Sequence, residues 1–251
     1  MNPPDNGVAS FQPVHRPDGS ATYTCPLTGF NVLGAVNAPI ELPARRDALK
    51  PEEATLEVFV KPATSSPAVG ERYVEGILRN LLGAIILGRE KGFPRRGVVL
   101  TLAVLEGGDS KATGRGSSYL TLLPALLHTA LLALLSASVP MSMYFTTTII
   151  AVTPSGEIIC KPSIKDADEA ASVHVLAFSS KGHLLLTESE GSFDFDTWEK
   201  VHDRALTICH LPEEASAGNG KVEYAVGSTW QKWLAESVED YIGFKYAYEF
   251  A

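Results

Sequence analysis

The fold of this chain is decided by residues 18–62, which contain the segments DGSATYTCPLTGFNVLGAVNAPIE (18–41) and ATLEVFVKP (54–62). We predict three strands here, because apolar and β-branched residues recur between Gly, Pro and Asp turn signals. A short basic loop that contains Arg45 and Arg46 separates the second strand from the third. This order of turn, strands and basic loop is the first constraint on the fold.

The apolar run at residues 117–138 is the second constraint. No charged residue occurs from Gly116 to Gly156, and Leu and Ala dominate the run, so its hydropathy resembles that of a membrane span. Pro124 and His128 interrupt it, however, and no positive cluster flanks it on one side. We therefore predict the central helix of a large core and no membrane segment.

The other elements follow from apolar periodicity and turn residues. We predict two hairpins, with strands at 143–152 and 157–160 and at 172–178 and 183–188, and helices at 71–87, at 197–208 and from about residue 230 onward. Asp194 is placed to cap the helix at 197–208, and Arg89 and Lys91 close the helix at 71–87 in a way that suits its dipole.

Composition limits the class of protein. The 251 residues suffice for one α/β or α+β domain or for two smaller ones, and the net charge of −8 argues against a protein that coats nucleic acid. The charge is uneven, because residues 14–115 hold 13 Lys and Arg against 11 Asp and Glu, whereas 116–251 hold 8 against 17. We expect any nucleic-acid contact in the N-terminal half; the alternative is an ordinary mixed surface with an acidic C-terminal face.

The three cysteines, Cys25, Cys160 and Cys209, favour a location inside the cell. The first ten residues contain no apolar run, so we expect no secretory signal and reduced thiols. No Cys-x-x-Cys or Cys/His spacing supports a metal site.

The order of these elements resembles that of RNase PH-type domains, and within them the ring subunits of the eukaryotic RNA exosome. The resemblance rests on the DGS turn, the GAVNAPIE strand, the basic loop and the VKP strand, and it extends over roughly residues 15–210. It implies an α+β, RNase PH-like (ribosomal protein S5 domain 2-like) β-α-β fold with mixed sheets and packed helices. We expect a flexible extension at 1–14, one domain at 15–251 and an insertion near 212–229.

Active members of this family degrade RNA from its 3′ end with phosphate, which an arginine in an Asp-Gly-Gly-Thr-Arg motif holds. The matching segment here is LEGGDS (105–110), so the Thr-Arg pair falls on Asp109 and Ser110. An acidic residue at this place repels phosphate. Arg115, in the glycine-rich segment 113–118, offers a substitute anion site; the alternative is an exposed loop that begins a helix.

The family's pair of catalytic acids is also incomplete. Asp166 matches the first acid, but Ser172 stands where the second is expected, and a neutral hydroxyl is a poor metal ligand and a poor general acid. Asp168 and Glu169 lie close in sequence, and His174 shares a strand face with Ser172. The family's N-terminal Arg-Pro-Asp-Gly-Arg segment is only imitated by residues 16–20.

Arginines remain as candidates for contact with RNA. Arg72 and Arg79 lie seven residues apart on one face of the first helix, and Arg95 and Arg96 end the turn that follows it. In the family, arginines on this helix and its loops line the path of single-stranded RNA. We predict an RNA-binding set of Arg72, Arg79, Arg95, Arg96 and Arg115; the alternative is surface pairing with Glu71, Glu75 and Glu90.

The resemblance therefore implies a non-catalytic exosome ring subunit without cofactor or metal, in the nucleus, nucleolus and cytoplasm. Expected partners are other RNase PH-like subunits, as a heterodimer within a six-subunit ring, RNA-binding cap subunits, a hydrolytic exoribonuclease subunit and single-stranded RNA. One alternative is an active phosphate-dependent 3′–5′ exoribonuclease that uses Asp166 with Asp168 or His174, plus Arg115. Another is an unrelated cytosolic α/β enzyme.

Overall fold

The computed structural model describes residues 8–25, 28–41, 51–63, 67–106, 119–210 and 229–245. In these ranges the strands are β1 Val8–Phe11, β2 Gly19–Thr24, β3 Asn31–Glu41, β4 Thr55–Lys61, β5 Arg96–Glu106, β6 Phe145–Val152, β7 Ile158–Cys160, β8 Ser172–Ser179 and β9 Leu184–Gly191. The helices are α1 Val69–Ile85, α2 Leu123–Ser136, α3 Ile164–Glu169, α4 Phe195–His210 and α5 Thr229–Lys245.

The chain divides into two compact units, and the first is formed by residues 8–144. Its five-stranded sheet has the order β1-β2-β3-β5-β4. Neighbouring strands run antiparallel except β4 and β5, which are parallel and are connected through α1. The three strands predicted within residues 18–62 are therefore confirmed as β2, β3 and β4, and the sheet is mixed, as expected.

Helix α2 is the centre of this unit's core. Thirteen of its fourteen residues are buried, and Leu126 and Leu127 are completely inaccessible to solvent. The helix comes so close to the sheet that a Cβ on Gly34 of β3 would lie 3.0 Å from the side chains of Thr129 and Ala133. The prediction of a buried central helix is confirmed. Across the described ranges, we find no helix with the length and apolar character that a membrane crossing requires.

Helix α1 packs its predicted apolar face inward. Val74, Ile77, Leu78, Leu81, Leu82 and Ile85 are all buried. Its end differs from the prediction, because the helix stops at Ile85 and contains no basic residue in its last turn. Arg89 lies beyond it and donates through Nε to Glu53 Oε1 at 2.9 Å, so this cation forms an ion pair and does not cap the helix.

The second unit contains the described residues 145–210 and 229–245. Its antiparallel sheet has the order β7-β6-β8-β9, which confirms both predicted hairpins. Helix α4 buries Val201, Ala205 and Cys209 against Ile150, Val152, Leu176 and Phe178 of this sheet. Asp194 Oδ1 accepts from Thr197 N at 2.9 Å, as its predicted capping role requires.

Two segments differ from the sequence-based predictions. Residues 8–11, which were expected in a flexible extension, form β1, because their backbone pairs with β2 in the register Val8–Thr24 to Phe11–Ala21. Residues 164–169, for which we predicted no helix, form the short helix α3, which Ser163 caps. The basic loop with Arg45 and Arg46, the segment 107–118 and nearly all of 212–229 lie outside the described residues. The prediction of one domain over 15–251 stays a prediction. All three cysteines are free thiols.

We predict that Leu127→Asp prevents stable folding. A carboxylate at this inaccessible position has no partner and should lower the free energy of unfolding by at least about 3 kcal/mol, against a total of about 5–15 kcal/mol. Soluble yield and urea denaturation measure the effect. Leu105→Asp is the matched control, because Leu105 is 46% exposed. A soluble Leu127→Asp protein, with wild-type chain partitioning into detergent, would contradict the buried helix.

Candidate functional site

Arg72 and Arg79 lie on the solvent-facing side of α1, as predicted. Arg72 Nη1 donates to Glu75 Oε2 at 2.8 Å, and the Arg72 side chain remains 63% exposed. Glu75 is buried, and its other oxygen accepts from Val60 N of β4 at 2.9 Å. Arg72 therefore neutralises the carboxylate that ties α1 to β4 and still presents much of its guanidinium to solvent.

Arg95 lies in the turn that leads into β5, and Arg96 is the first residue of that strand. Arg96 N donates to Phe93 O at 3.0 Å, and Phe93 is buried, which anchors the turn. Arg95 has a φ of 62°, in the left-handed region, which costs a non-glycine residue about 1–2 kcal/mol. Both arginine side chains are exposed. In the β3–β5 pairing Arg96 stands opposite Glu41, so one cation of this pair has an acid across the sheet.

The four arginines do not form one cluster. Arg72 lies in the first turn of α1, beside the carboxyl end of β4, whereas Arg95 and Arg96 lie at the amino end of β5, which is parallel to β4. At 1.5 Å of rise per residue, α1 spans about 25 Å, and Arg79 lies about 10 Å along it from Arg72. The cations are therefore distributed along the β4-α1-β5 unit. Arg115 lies outside the described residues.

A polar anchor at the start of α1 was not anticipated from the sequence. Glu71 is buried and accepts from Ala68 N at 2.8 Å, and it also bonds to the Tyr119 hydroxyl. Burial opposes its ionisation, but these hydrogen bonds prevail and lower the pKa of Glu71. Burial and the bond to Glu71 raise the pKa of Tyr119 to about 12. Gly70 makes room for this contact, because a Cβ there would lie 2.1 Å from the Tyr119 ring. In the sequence, the corresponding signal is a glycine directly before the predicted helix at 71–87.

Ser172, at the position of the expected second acid, is buried and begins a chain of hydrogen bonds that passes through the buried His174 to the exposed Ser189. Ser172 Oγ is 2.9 Å from His174 Nε2, and His174 Nδ1 is 2.8 Å from Ser189 Oγ. His174 is inaccessible to solvent, and the Phe193 ring packs edge-on against it with the centroids 4.7 Å apart. Burial lowers the pKa of His174, so the imidazole is neutral near pH 7. Both ring nitrogens are already hydrogen-bonded, which supports a structural role.

Asp166, the first acid of the expected pair, serves to cap a helix. Its Oδ2 accepts from Ser163 N at 2.9 Å and from Ser163 Oγ at 2.7 Å, which closes a capping box at the start of α3. The Ser163 hydroxyl and then its backbone N–H lower the pKa of Asp166. Within the described ranges, no group of three or more His, Cys, Asp or Glu side chains is arranged to hold a metal ion.

Comparison with known proteins gives consistent results. No family model matches the chain. The chain is 30% identical to the exosome complex component RRP46 of Saccharomyces cerevisiae over 186 residues, which cover 71% of this chain and 79% of that protein. It is also similar to the crystal structure of rice (Oryza sativa) Rrp46, with a TM-score of 0.69 and 24% identity over 83% of this chain and 90% of that one.

Two archaeal structures share the fold at lower identity. The Archaeoglobus fulgidus exosome with RNA bound to the active site matches with a TM-score of 0.62 and 12% identity, over 80% of this chain and 84% of that one. The archaeal exosome core matches with a TM-score of 0.61 and 13% identity, over 80% and 82%. The α+β, RNase PH-like fold predicted from the sequence is thereby confirmed.

The buried His174 predicts a loss of stability in acid. Its pKa is lower in the folded than in the unfolded chain, so between its folded pKa and about 6.5 the unfolded state binds more protons. The free energy of unfolding should therefore fall as the pH drops below about 6.5, by up to about 1.4 kcal/mol per pH unit. Urea denaturation at a series of pH values measures this slope.

His174→Asn should lose the part of the slope that His174 contributes, whatever its stability at neutral pH. The control is Thr187→Asn at an exposed position of β9, which removes no titratable group and should keep the wild-type slope. An unchanged slope in His174→Asn would show that the imidazole ionises equally easily in the folded and unfolded chains.

Proposed function

Because this chain belongs to the family of RNase PH-like exosome subunits that includes exosome complex component RRP46, we propose that it is a non-catalytic structural subunit of an RNA exosome ring. In this role it forms part of the wall of the RNA channel and contributes to 3′–5′ processing and degradation of RNA, including ribosomal RNA. We place it in the nucleus, the nucleolus and the cytoplasm.

The observation that carries the non-catalytic proposal is the chain of hydrogen bonds from Ser172 through His174, both buried, to the exposed Ser189. Phosphorolysis in this family depends on two acids near the scissile phosphate, and a serine hydroxyl bonded to a neutral imidazole supplies neither negative charge nor a free acid. Asp166 is tied to Ser163 and cannot take over both roles without leaving its helix cap. These contacts support a structural role for Ser172, His174 and Asp166.

The arginines support a weak contact with RNA. Arg72 and Arg79 face solvent on one side of α1, and Arg95 and Arg96 face solvent at the start of β5. Cations spaced along about 25 Å of surface suit a flexible phosphate backbone that slides past, because phosphate contacts carry no sequence readout. Arg115 belongs to the same proposed set.

Assembly follows from the edges of the sheets. In the described residues each sheet ends in strands with one unpaired side, β1 and β4 in the first unit and β7 and β9 in the second. Such edges favour pairing with another chain. We propose a heterodimer with a second, non-identical RNase PH-like subunit, closure into a six-subunit ring, and binding of RNA-binding cap subunits and a hydrolytic exoribonuclease subunit to that ring.

The purified chain should not degrade single-stranded RNA with phosphate. Release of nucleoside diphosphates is the measurement, with an active RNase PH-type enzyme as the positive control. Ser172→Asp should also be inactive, because the new carboxylate replaces a residue that is only 2% exposed and bonded to His174. Phosphate-dependent release by the wild-type chain that Asp166→Ala abolishes would instead support the active exoribonuclease.

Replacing the arginines should weaken RNA binding by the assembled complex and leave assembly intact. We expect Arg79→Glu, Arg95→Glu and Arg96→Glu to lower RNA protection. The slope of log affinity against log salt should also decrease by about 0.7 for each phosphate that a variant no longer neutralises. Arg72→Gln is preferable to a charge reversal, because a carboxylate there would repel the buried Glu75.

Lys181→Glu is the matched control, since Lys181 is an exposed cation in the other unit and should leave RNA protection unchanged. Co-purification with RNase PH-like proteins verifies assembly of each variant. If the arginine variants protect RNA as well as the wild type does, the proposed RNA path is wrong. If the wild-type chain is a stable monomer that co-purifies with no RNase PH-like protein, the ring-subunit proposal fails.

A further inference from the structure

Helix α4 carries a row of aromatic side chains on its partly exposed side. We call this row, Phe195, Trp198 and His202, the aromatic ladder. The rings of Phe195 and Trp198 stack with centroids 6.2 Å apart and planes inclined by 25°, and those of Trp198 and His202 stack at 5.4 Å and 28°. Phe195 is 73% exposed, and the ladder's inner end contacts the buried Phe178. The ladder is thus an aromatic surface whose His202 end contacts the core and whose Phe195 end is exposed to solvent.

Carboxylates lie directly beside this ladder on the solvent side of the helix. Asp196, Glu199 and Asp203 recur at i, i+3 and i+7, and all three are exposed. Glu199 and Asp203 are four residues apart, a spacing at which like charges destabilise a helix. We refer to these three residues as the acidic stripe. Its neighbour Asp194 adds a further negative charge at the start of the helix, and hydrogen bonds from Thr197 lower the pKa of Asp194.

We propose that the aromatic ladder and the acidic stripe together form a docking surface for an arginine-rich segment of a partner protein. A guanidinium group can stack on the exposed ring of Phe195 and the half-buried ring of Trp198 while its N–H groups donate to Glu199 and Asp203. The two features are adjacent on one helix, so a short segment contacts both. This surface goes beyond the proposed RNA channel and ring assembly.

Charge complementarity identifies the occupant. Residues 194–210 hold four exposed acidic residues, Asp194, Asp196, Glu199 and Asp203, against two exposed basic ones, Lys200 and Arg204, so this surface favours cations over polyanions. Exposed rings alone would also suit the stacking of nucleic-acid bases. The acidic stripe lies beside the ladder and would repel the phosphates of such a strand, which favours a basic peptide over RNA. The ladder and the stripe meet where His202 Nδ1 lies 3.3 Å from Asp203 Oδ1, and a bound guanidinium adds positive charge between Asp203 and Glu199.

The test uses the full chain and a fluorescently labelled peptide of alternating arginine and glycine, with binding followed by fluorescence polarisation. Phe195→Ala should weaken binding about two- to fivefold, as expected when an exposed cation–π interaction is removed. The double variant Glu199→Gln, Asp203→Asn should weaken it about tenfold if two exposed ion pairs each contribute about threefold, in the upper half of their usual range. Both changes are at exposed positions, so the variants should fold, and thermal denaturation verifies this.

Asp240→Asn on α5 is the matched control, because it removes one exposed carboxylate elsewhere and should leave the affinity within about twofold. A peptide of alternating lysine and glycine should bind less tightly than the arginine peptide, since lysine stacks less well on aromatic rings. Equal weakening by Asp240→Asn, or no weakening by Phe195→Ala, would overturn the proposal in favour of non-specific charge attraction.

Labelled poly(U) RNA forms the second arm of the experiment. The proposal requires that this RNA bind no better to wild type than to Phe195→Ala. RNA binding that Phe195→Ala weakens, together with unchanged peptide binding, would show that the ladder stacks bases and would overturn the proposal. Because these variants lie on α4, this outcome is independent of the arginines on α1 and of the ring-subunit proposal.

Discussion

The close approach of α2 to the first sheet is the constraint on which the first unit depends. A helix that is apolar on nearly every side must be buried on nearly every side, so the strands beneath it need small residues where the backbones meet. Gly34 of β3 meets Thr129 and Ala133, and a Cβ on Gly19 of β2 would lie 2.2 Å from Ala137 N. Any larger side chain at these two points would lift the helix from the sheet and open the core.

Hydrogen bonds of two buried acidic residues, together with apolar packing, hold α1 against the same sheet. Glu75 accepts from Val60 N of β4, and Glu71 accepts from Ala68 N and bonds to Tyr119. Buried carboxylates are tolerated only with such partners. The exposed arginines on α1 owe their position to this arrangement, because the inward face is fixed by Glu71 and Glu75 and the outward face follows from the helical period.

In the second unit, a chain of hydrogen-bonded polar side chains connects neighbouring strands of the sheet. Ser172, His174 and Ser189 occupy one face of the β8–β9 pair, and the strand register brings His174 opposite Ser189. Each hydroxyl gives the neutral imidazole a partner, so no nitrogen of this buried ring is left unsatisfied. Leu176 and Phe178 continue the same face of β8, and α4 packs Val201 and Ala205 against them and leaves Phe195 and its acidic side chains at the surface.

The sequence by itself determined the order of most strands and helices, because alternation, apolar periodicity and turn residues are local signals. It also determined that α2 is buried and that Asp194 caps a helix. Strand β1 and the bond of Glu71 to Tyr119 depended on tertiary structure, since β1 is stabilised by pairing with β2 and Tyr119 is 48 residues from Glu71. The tertiary structure also decided that Arg72 lies apart from Arg95 and Arg96. Parallel pairing of β4 and β5 places Arg72 at one end of the connecting helix α1 and the other two arginines at its other end.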